Sequence, residues 1–195
     1  MRPRSLQAIL LALLLGACTA TVALPGYQSV TSEELTGSVT VREFAYTPRA
    51  GVQQNEIRET AVGRVFVTEP VGAYFAGAVR RELRQAGVTL RDGACVLDGT
   101  IHDFAVESLG FEATYITDVT YRLSRPDGTQ LVDLPVRVSF KTSKFIDASL
   151  ILAAIGRSVS DNIATLLKDP SFRTALETEC SPRPAPRPVE RPARR

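Results

Sequence analysis

The sequence predicts an α+β fold: a two-layer domain with an antiparallel or mixed sheet of about five strands, two main helices and a short third helix packed on one face. Apolar and polar residues alternate on both sides of the dipeptide Asp127-Gly128, as in a hairpin with one buried face. Two other segments repeat apolar residues at the three-and-four spacing of a helix face. Neither kind of segment can bury its apolar side alone, so we expect the helices to cover the sheet.

The predicted hairpin consists of strands over residues 115–123 and 132–140. A longer strand over 95–107 precedes it, and its apolar phase changes between Ile101 and Phe104, which predicts a bulge near His102-Asp103. Shorter segments of strand character are predicted at 38–47, 65–67 and 88–90, with a loop or ragged hairpin over 49–64.

The first predicted helix follows Pro70 and ends at Gly87. A second helix is predicted over 147–168, and Asp169-Pro170 indicates the N-cap and first residue of a short third helix. The expected buried stripe of the second helix is Ile151, Leu152, Ile155, Val159, Ile163, Leu166 and Leu167.

The first eighteen residues resemble the signal peptide of a bacterial lipoprotein. Arg2 and Arg4 precede the apolar run 6–15, and Leu15-Gly16-Ala17-Cys18 forms a lipobox. The resemblance implies a diacylglyceryl group on the Cys18 sulfur, removal of residues 1–17 and a protein anchored in the bilayer through acylated Cys18. An ordinary secretory signal or a short anchor helix is the alternative. Thr19 follows the lipobox where an Asp would favour inner-membrane retention, so we expect the periplasmic face of the outer membrane.

The predicted mature chain has three parts. Residues 18–37 form a flexible spacer, 38–180 a single domain, and 181–195 a Pro/Arg-rich disordered tail. The last fifteen residues contain five Arg and one Glu. They are either a solvated tail without function or a weak contact to the cell wall or to anionic lipid.

Charge and cysteine content narrow the function further. Without the signal peptide and the tail, 16 basic and 20 acidic side chains remain, which argues against nucleic acid as a partner. Cys95 and Cys180 are the two cysteines beyond the lipobox, and outside the cytoplasm they favour one disulfide over two buried thiols.

The sequence contains no pattern that predicts catalysis, a metal site or a cofactor. His102 is the single histidine, there is no nucleophile elbow, and the carboxylates are scattered. We therefore expect no catalytic, cofactor-binding or metal-binding residues, and we interpret His102 as a surface or edge residue beside the bulge.

The segment from about Val71 to Leu176 resembles the YajG-type family of small bacterial lipoproteins. The resemblance is carried by "RRELRQAGV", "LDGTIHDFAVE", "DVTYRLSRPDG", "VRVSFKTSKFIDAS" and "IGRSVSDNIATLLKDPSFRTAL". Similar two-layer shapes occur in auxiliary lipoproteins of envelope ABC transporters and in the N-terminal domain of TolB-type proteins. The family has no accepted catalytic residues, so the resemblance implies none here.

Three functions follow as hypotheses. The first is a non-enzymatic envelope lipoprotein that binds a protein or lipid partner through the exposed hairpin face or through a groove between the helices and the sheet edge. The second is an auxiliary subunit that handles lipid or lipopolysaccharide in an apolar groove, lined by Phe104, Phe111, Tyr115 and Tyr121 unless these residues simply fill the core. The third, a cell-wall enzyme that uses His102, is the least favoured.

Overall fold

The structure is a computed structural model that describes residues 20–24, 26–59, 65–90, 94–108, 110–143 and 148–181. The predicted signal peptide, Cys18 and all of the predicted tail beyond Ser181 lie outside these residues. The strands are β1 (Ala20–Val22), β2 (Val39–Val41), β3 (Ala45–Tyr46), β4 (Glu56–Glu59), β5 (Val65–Val67), β6 (Cys95–Glu107), β7 (Glu112–Ser124) and β8 (Gln130–Ser143). The helices are α1 (Val71–Gln85), α2 (Ala148–Lys168) and α3 (Pro170–Glu179).

The described strands form one mixed sheet in the order β1-β5-β4-β6-β7-β8. β6 lies at its centre and pairs antiparallel with β7, which pairs antiparallel with β8. The other side of β6 pairs in parallel with β2, β3 and β4 in succession. The predicted α+β class is confirmed, with the helices on one face of the sheet. The sheet has eight strands rather than about five, because strands of two to four residues are too short to show alternation.

The long strands follow the prediction closely. β6 has the predicted bounds, and its register with β7 shifts between Ile101 and Asp103, so the predicted bulge is confirmed. The turn at Asp127-Gly128 is also present, with Gly128 at a φ of 91°, a left-handed conformation that glycine adopts without strain.

Two of the shorter predicted strands are wrong in part. The strand over 38–47 is broken into β2 and β3, and the ring of Phe44 between them lies on Gly99 of β6. A Cβ at Gly99 would lie 2.5 Å from that ring, so the close approach requires glycine. Residues 88–90 form no strand, because only Thr89 makes a single bridge, to Ser38.

Helix α1 begins after Pro70, as predicted, and ends in a Schellman motif. The amide of Val88 donates to the carbonyl of Leu83 over 2.9 Å, and that of Gly87 donates to Arg84 over 3.2 Å. Gly87 has a φ of 95°, and Val88 and Leu83 are both buried, which completes the hydrophobic contact of this motif.

Helices α2 and α3 also have their predicted positions. Asp169 caps α3 by accepting hydrogen bonds from the amides of Ser171 and Phe172 over 2.9 and 3.0 Å. The buried stripe of α2 is confirmed from Ile155 to Leu167, but Ile151 is 38% exposed. The first turns of α2 leave a cleft against the sheet, and Ile151 lines this cleft instead of being enclosed in the core.

By length and composition alone, Leu150–Lys168 of α2 could span a membrane. This helix packs on β7 and β8, and the Asn162 side chain is fully buried and hydrogen-bonded to both strands. These contacts are those of a core helix that covers a sheet.

Candidate partner-binding surface

The apolar surface of the described residues concentrates around the first half of α2. The large apolar side chains exposed there are Leu150 and Ile151, at 53% and 38%. Phe111 and Val30 are the other two exposed large apolar residues in the described part of the chain. A surface of this kind, flanked by clefts, is typical of a binding site.

The first cleft, called here the helix cleft, lies between α1, α2 and the chain before β2. It has a volume of about 410 Å³. Its lining residues are Gly26, Tyr27, Gln28, Val30, Tyr74, Leu152, Ala153, Gly156, Arg157, Ser160 and Asp161. Gly156 widens it, because a Cβ built at this position meets nothing within 4 Å.

The second cleft, called here the edge cleft, lies between the start of α2 and the strands β7 and β8. It also has a volume of about 410 Å³ and is lined by Tyr115, Phe140, Thr142, Leu150, Ile151, Ala153, Ala154 and Arg157. Ala153 and Arg157 line both clefts, so the two clefts flank the same stretch of α2.

The wall of the helix cleft is fixed by a buried carboxylate, Glu82 of α1, which is only 1% exposed. The hydroxyl of Tyr27 donates to it over 2.5 Å and that of Ser29 over 2.8 Å. The amides of Val30 and Thr31 donate over 2.9 and 3.0 Å. Four donors compensate the buried charge and hold residues 27–31 against α1.

Residues 27–36 were predicted to belong to the flexible spacer, and the structure corrects this. Tyr27 and Leu35 are 6% and 3% exposed, and Arg173 of α3 forms an ion pair with Glu33 over 2.7 Å. The amide of Leu35 donates to Ala86 at the end of α1. The sequence showed no periodicity here because the segment is held by side-chain contacts rather than by regular structure.

Burial of the Tyr27 hydroxyl, together with its hydrogen bond to Glu82, raises the pKa of Tyr27 well above its ordinary value. The phenol is therefore a neutral donor throughout the physiological range. It stabilises the carboxylate and is not available as a base.

The single cation in the lining of both clefts is Arg157. Its guanidinium lies 4.9 Å from the centre of the Phe140 ring and 3.4 Å from the carboxylate of Asp161. The arrangement provides apolar walls with one shared positive group, features that are common in binding sites. Among the residues that the structure describes, no three His, Cys, Asp or Glu side chains come together as metal ligands.

The predicted site residues fall in three places. Cys18 lies outside the described residues. Cys95 and Cys180 are bonded as a disulfide with Cα atoms 5.3 Å apart, and both are fully buried. His102 is exposed at the bulge, where its Nε2 lies 2.9 Å from the Thr120 hydroxyl. Its neighbour Asp103 is instead bound by Arg58, over 2.9 Å.

The aromatic groove proposed for lipid does not form from the four residues considered. Phe104, Tyr115 and Tyr121 are at most 2% exposed and fill the core, whereas Phe111 is 76% exposed at the β6–β7 turn. Only Tyr115 borders a cleft. The residues missed were Tyr27, Glu82, Gly156 and Arg157. The small residues Ala153-Ala154 and Gly156 inside an amphipathic helix were the available signal.

No protein-family model matches the chain, and no curated protein matches its sequence. The fold is shared with solved structures. Protein XCC0632 from Xanthomonas campestris (DUF330) superposes with a TM-score of 0.61 at 10% identity, over 76% of this chain and 92% of that one. A second, uncharacterised protein gives 0.55 at 12% identity, over 77% and 96%. A minor lipoprotein from Acinetobacter baumannii gives 0.38 at 8% identity, over 66% and 89%, a similarity too low to support a conclusion. This chain is therefore similar in fold to the DUF330 protein XCC0632.

Proposed function

We propose that this chain is a non-enzymatic lipoprotein of the bacterial envelope, anchored through Cys18 at the periplasmic face of the outer membrane, where it binds a partner protein through the helix cleft. The proposed location is supported by the lipobox, by Thr19 after it and by the YajG-type resemblance. Two or three acyl chains hold a protein on a bilayer nearly irreversibly, at about 0.8 kcal/mol for each buried methylene.

The observation that carries the binding role is the helix cleft itself. Its walls are mostly apolar, and Glu82 accepts four hydrogen bonds that hold one of these walls in place. A preformed apolar cleft loses little entropy when an apolar segment of a partner enters it. The polar groups at its mouth, Arg157 and Asp161, can orient such a segment.

Lipid anchoring through Cys18 is tested by the substitution Cys18→Ser. We expect the variant to leave the membrane fraction, or to remain as an uncleaved precursor, because no thioether can form. Fractionation on a sucrose gradient, with mass spectrometry of the N-terminal peptide, measures both. Normal processing and membrane retention of the variant would refute the anchor.

The binding role is tested by filling the cleft. A photo-crosslinking amino acid at Leu152 should yield one reproducible adduct in cells, and Gly156→Leu should reduce it at least fivefold. Gly77→Leu in α1 is the matched control, because a Cβ at Gly77 also meets nothing within 4 Å and Gly77 does not line the cleft. Equal crosslinking in the two variants would contradict the proposal.

The auxiliary lipid-transport subunit is the second candidate, and the edge cleft favours it. Tyr115, Phe140 and Leu150 give this cleft of about 410 Å³ apolar walls that suit contact with an acyl chain. Native mass spectrometry after mild extraction should then show a bound lipid that Ala154→Phe displaces. The protein free of lipid under these conditions would argue against transport.

The Pro/Arg-rich tail stays a prediction. Ser181, the last residue described before it, follows Cys180, which is bonded to the first residue of β6. Ser181 therefore lies at the end of the sheet opposite Ala20, which favours the cell wall over the anchoring membrane as the contact proposed for the tail.

A further inference from the structure

Strand register places several distant parts of the chain at one end of the sheet. Ala20, at the start of β1, lies opposite Val65 at the start of β5, and β5 runs antiparallel to β4. β4 runs parallel to β6, so the start of β1 lies at the same end as Glu107, the last residue of β6. Glu112 and Ser143, which pair across β7 and β8, complete this end. We call it the anchor end.

Three of the four exposed large apolar side chains in the described part of the chain belong to the anchor end. Phe111, in the turn between β6 and β7, is 76% exposed. Leu150 and Ile151 lie in the first turn of α2, which begins five residues after Ser143 and packs beside Phe140 and Thr142 of β8. The fourth, Val30, lies near Ser160 of α2, about 15 Å along the helix from Leu150.

The anchor end is also where the acyl chains would join the domain. Ala20 is two residues from Cys18 and is already paired in the sheet, so the lipidated cysteine is within about 7 Å of β1. In the sequence only Thr19 separates Cys18 from β1, which leaves little chain to hold the domain away from the bilayer. The exposed apolar residues at this end therefore meet lipid first.

Charge does not oppose this contact. Glu112 flanks Phe111 and forms an ion pair with Lys141 over 2.9 Å. Glu107 accepts from Arg58 over 2.9 Å. The carboxylates of Glu107 and Glu112 at the anchor end are thus each paired with a cation, which lowers their repulsion toward anionic headgroups.

We propose that the anchor end rests on the membrane that holds Cys18, with Phe111, Leu150 and Ile151 inserted between the lipid headgroups. This inference depends on the proposed acylation of Cys18. The contact fixes the orientation of the domain, with the edge cleft open beside the bilayer. The opposite end of the sheet, which carries the Cys95–Cys180 disulfide, points into the periplasm. The two ends are roughly 40 Å apart along the 13 residues of β6.

The absence of tryptophan from the sequence makes a direct test possible. Phe111→Trp, Leu150→Trp and, as the matched exposed control, Val30→Trp are prepared in the full lipidated chain. Each is reconstituted in phosphatidylcholine vesicles with and without brominated acyl chains. We expect the bromine atoms to lower the emission of the first two variants at least twofold and to leave the Val30→Trp emission unchanged.

The outcomes separate the two proposals. Mass spectrometry first establishes whether Cys18 carries acyl chains, and an unmodified thiol there refutes the anchor and this inference together. If the protein is acylated but the emission of Phe111→Trp and Leu150→Trp is quenched no more than that of Val30→Trp, the membrane contact is refuted while the anchor stands. A blue-shifted but unquenched emission from a dimer would indicate a second copy on the anchor end, which also overturns it. Unfolding curves verify that the exposed substitutions leave the fold intact.

Discussion

The hydroxyl of Tyr27 donates a 2.5 Å hydrogen bond to the carboxylate of Glu82, 55 positions later in the chain. This contact joins the segment before β2 to the last turn of α1, and it closes one wall of the helix cleft. It also explains why a residue just after the predicted anchor is as well buried as the core.

Glu82→Gln should release this segment. The amide nitrogen of Gln would face donors that now share a carboxylate, and hydrogen bonds to charged groups contribute about 1.5–3 kcal/mol each. We expect the free energy of unfolding to fall by about 2–3 kcal/mol and hydrogen exchange at the amides of Val30 and Thr31 to accelerate. Urea unfolding and exchange mass spectrometry measure the two effects. The exposed Glu34→Gln is the control, and unchanged exchange at both amides would contradict the assignment.

Alkaline pH should destabilise the protein through its buried tyrosines. Burial raises the pKa of Tyr27, Tyr46 and Tyr121 in the folded state. The hydrogen bond to Glu82 raises the pKa of Tyr27 further, and repulsion from Asp103 and Glu56 does so for Tyr46. The unfolded chain loses these protons near pH 10, so above that pH it binds fewer protons than the folded chain and unfolding becomes more favourable. The stability that depends on the buried tyrosines being protonated is fully present below pH 10 and is lost as the pH rises through their raised pKa values.

Urea unfolding between pH 8 and 11 measures this effect. Tyr121→Phe should flatten the decline above pH 10, because one raised phenol is removed. A decline equally steep in the variant would show that Tyr121 takes no part in it.

Asn162→Leu should disrupt the buried contact between α2 and the hairpin. Its Nδ2 donates to the carbonyls of Thr117 and Val136, and its Oδ1 accepts from Tyr121 over 2.7 Å. Removing it leaves several buried polar groups without partners, at about 1–3 kcal/mol each, so we expect a loss of about 3 kcal/mol or more.

Ser158→Ala is the matched control on the same helix. The Ser158 hydroxyl is buried without a hydrogen-bond partner, so its removal should leave stability unchanged or raise it.

The double variant Asn162→Leu/Tyr121→Phe should lose less stability than the sum of the two single changes, since the side chains of Asn162 and Tyr121 are hydrogen-bonded to each other. Additive losses measured by urea unfolding would refute the coupling.

The Cys95–Cys180 disulfide joins the first residue of β6 to the end of α3 across 85 positions. A crosslink of that span contributes about 4–5 kcal/mol in the chain-entropy model. We expect reductant to lower the stability of the native protein by about this amount and to leave the stability of Cys95→Ala/Cys180→Ala unaffected. Thiol labelling without reductant checks the bond directly, and rapid labelling of the folded protein would exclude it.

Elements that depend on neighbours in the sequence were predictable. The β7–β8 hairpin follows from alternation and one Asp-Gly turn, the bulge from a change of apolar phase, and α3 from the Asp169-Pro170 pair. The short strand β4 and the break between β2 and β3 were not predictable, because the pairing of these strands depends on β6, more than forty residues away in the chain.

The sequence by itself determined the layers of helices and hairpin, and it predicts the lipid anchor and contains no recognisable reactive motif, because each of these depends on residues that are adjacent or periodically spaced. Only the tertiary structure decided that Glu82 holds the chain before β2, that two clefts flank α2, and that Phe111, Leu150 and the start of β1 share one end of the sheet. Those relations join residues dozens of positions apart, and only strand register and helix packing bring them together.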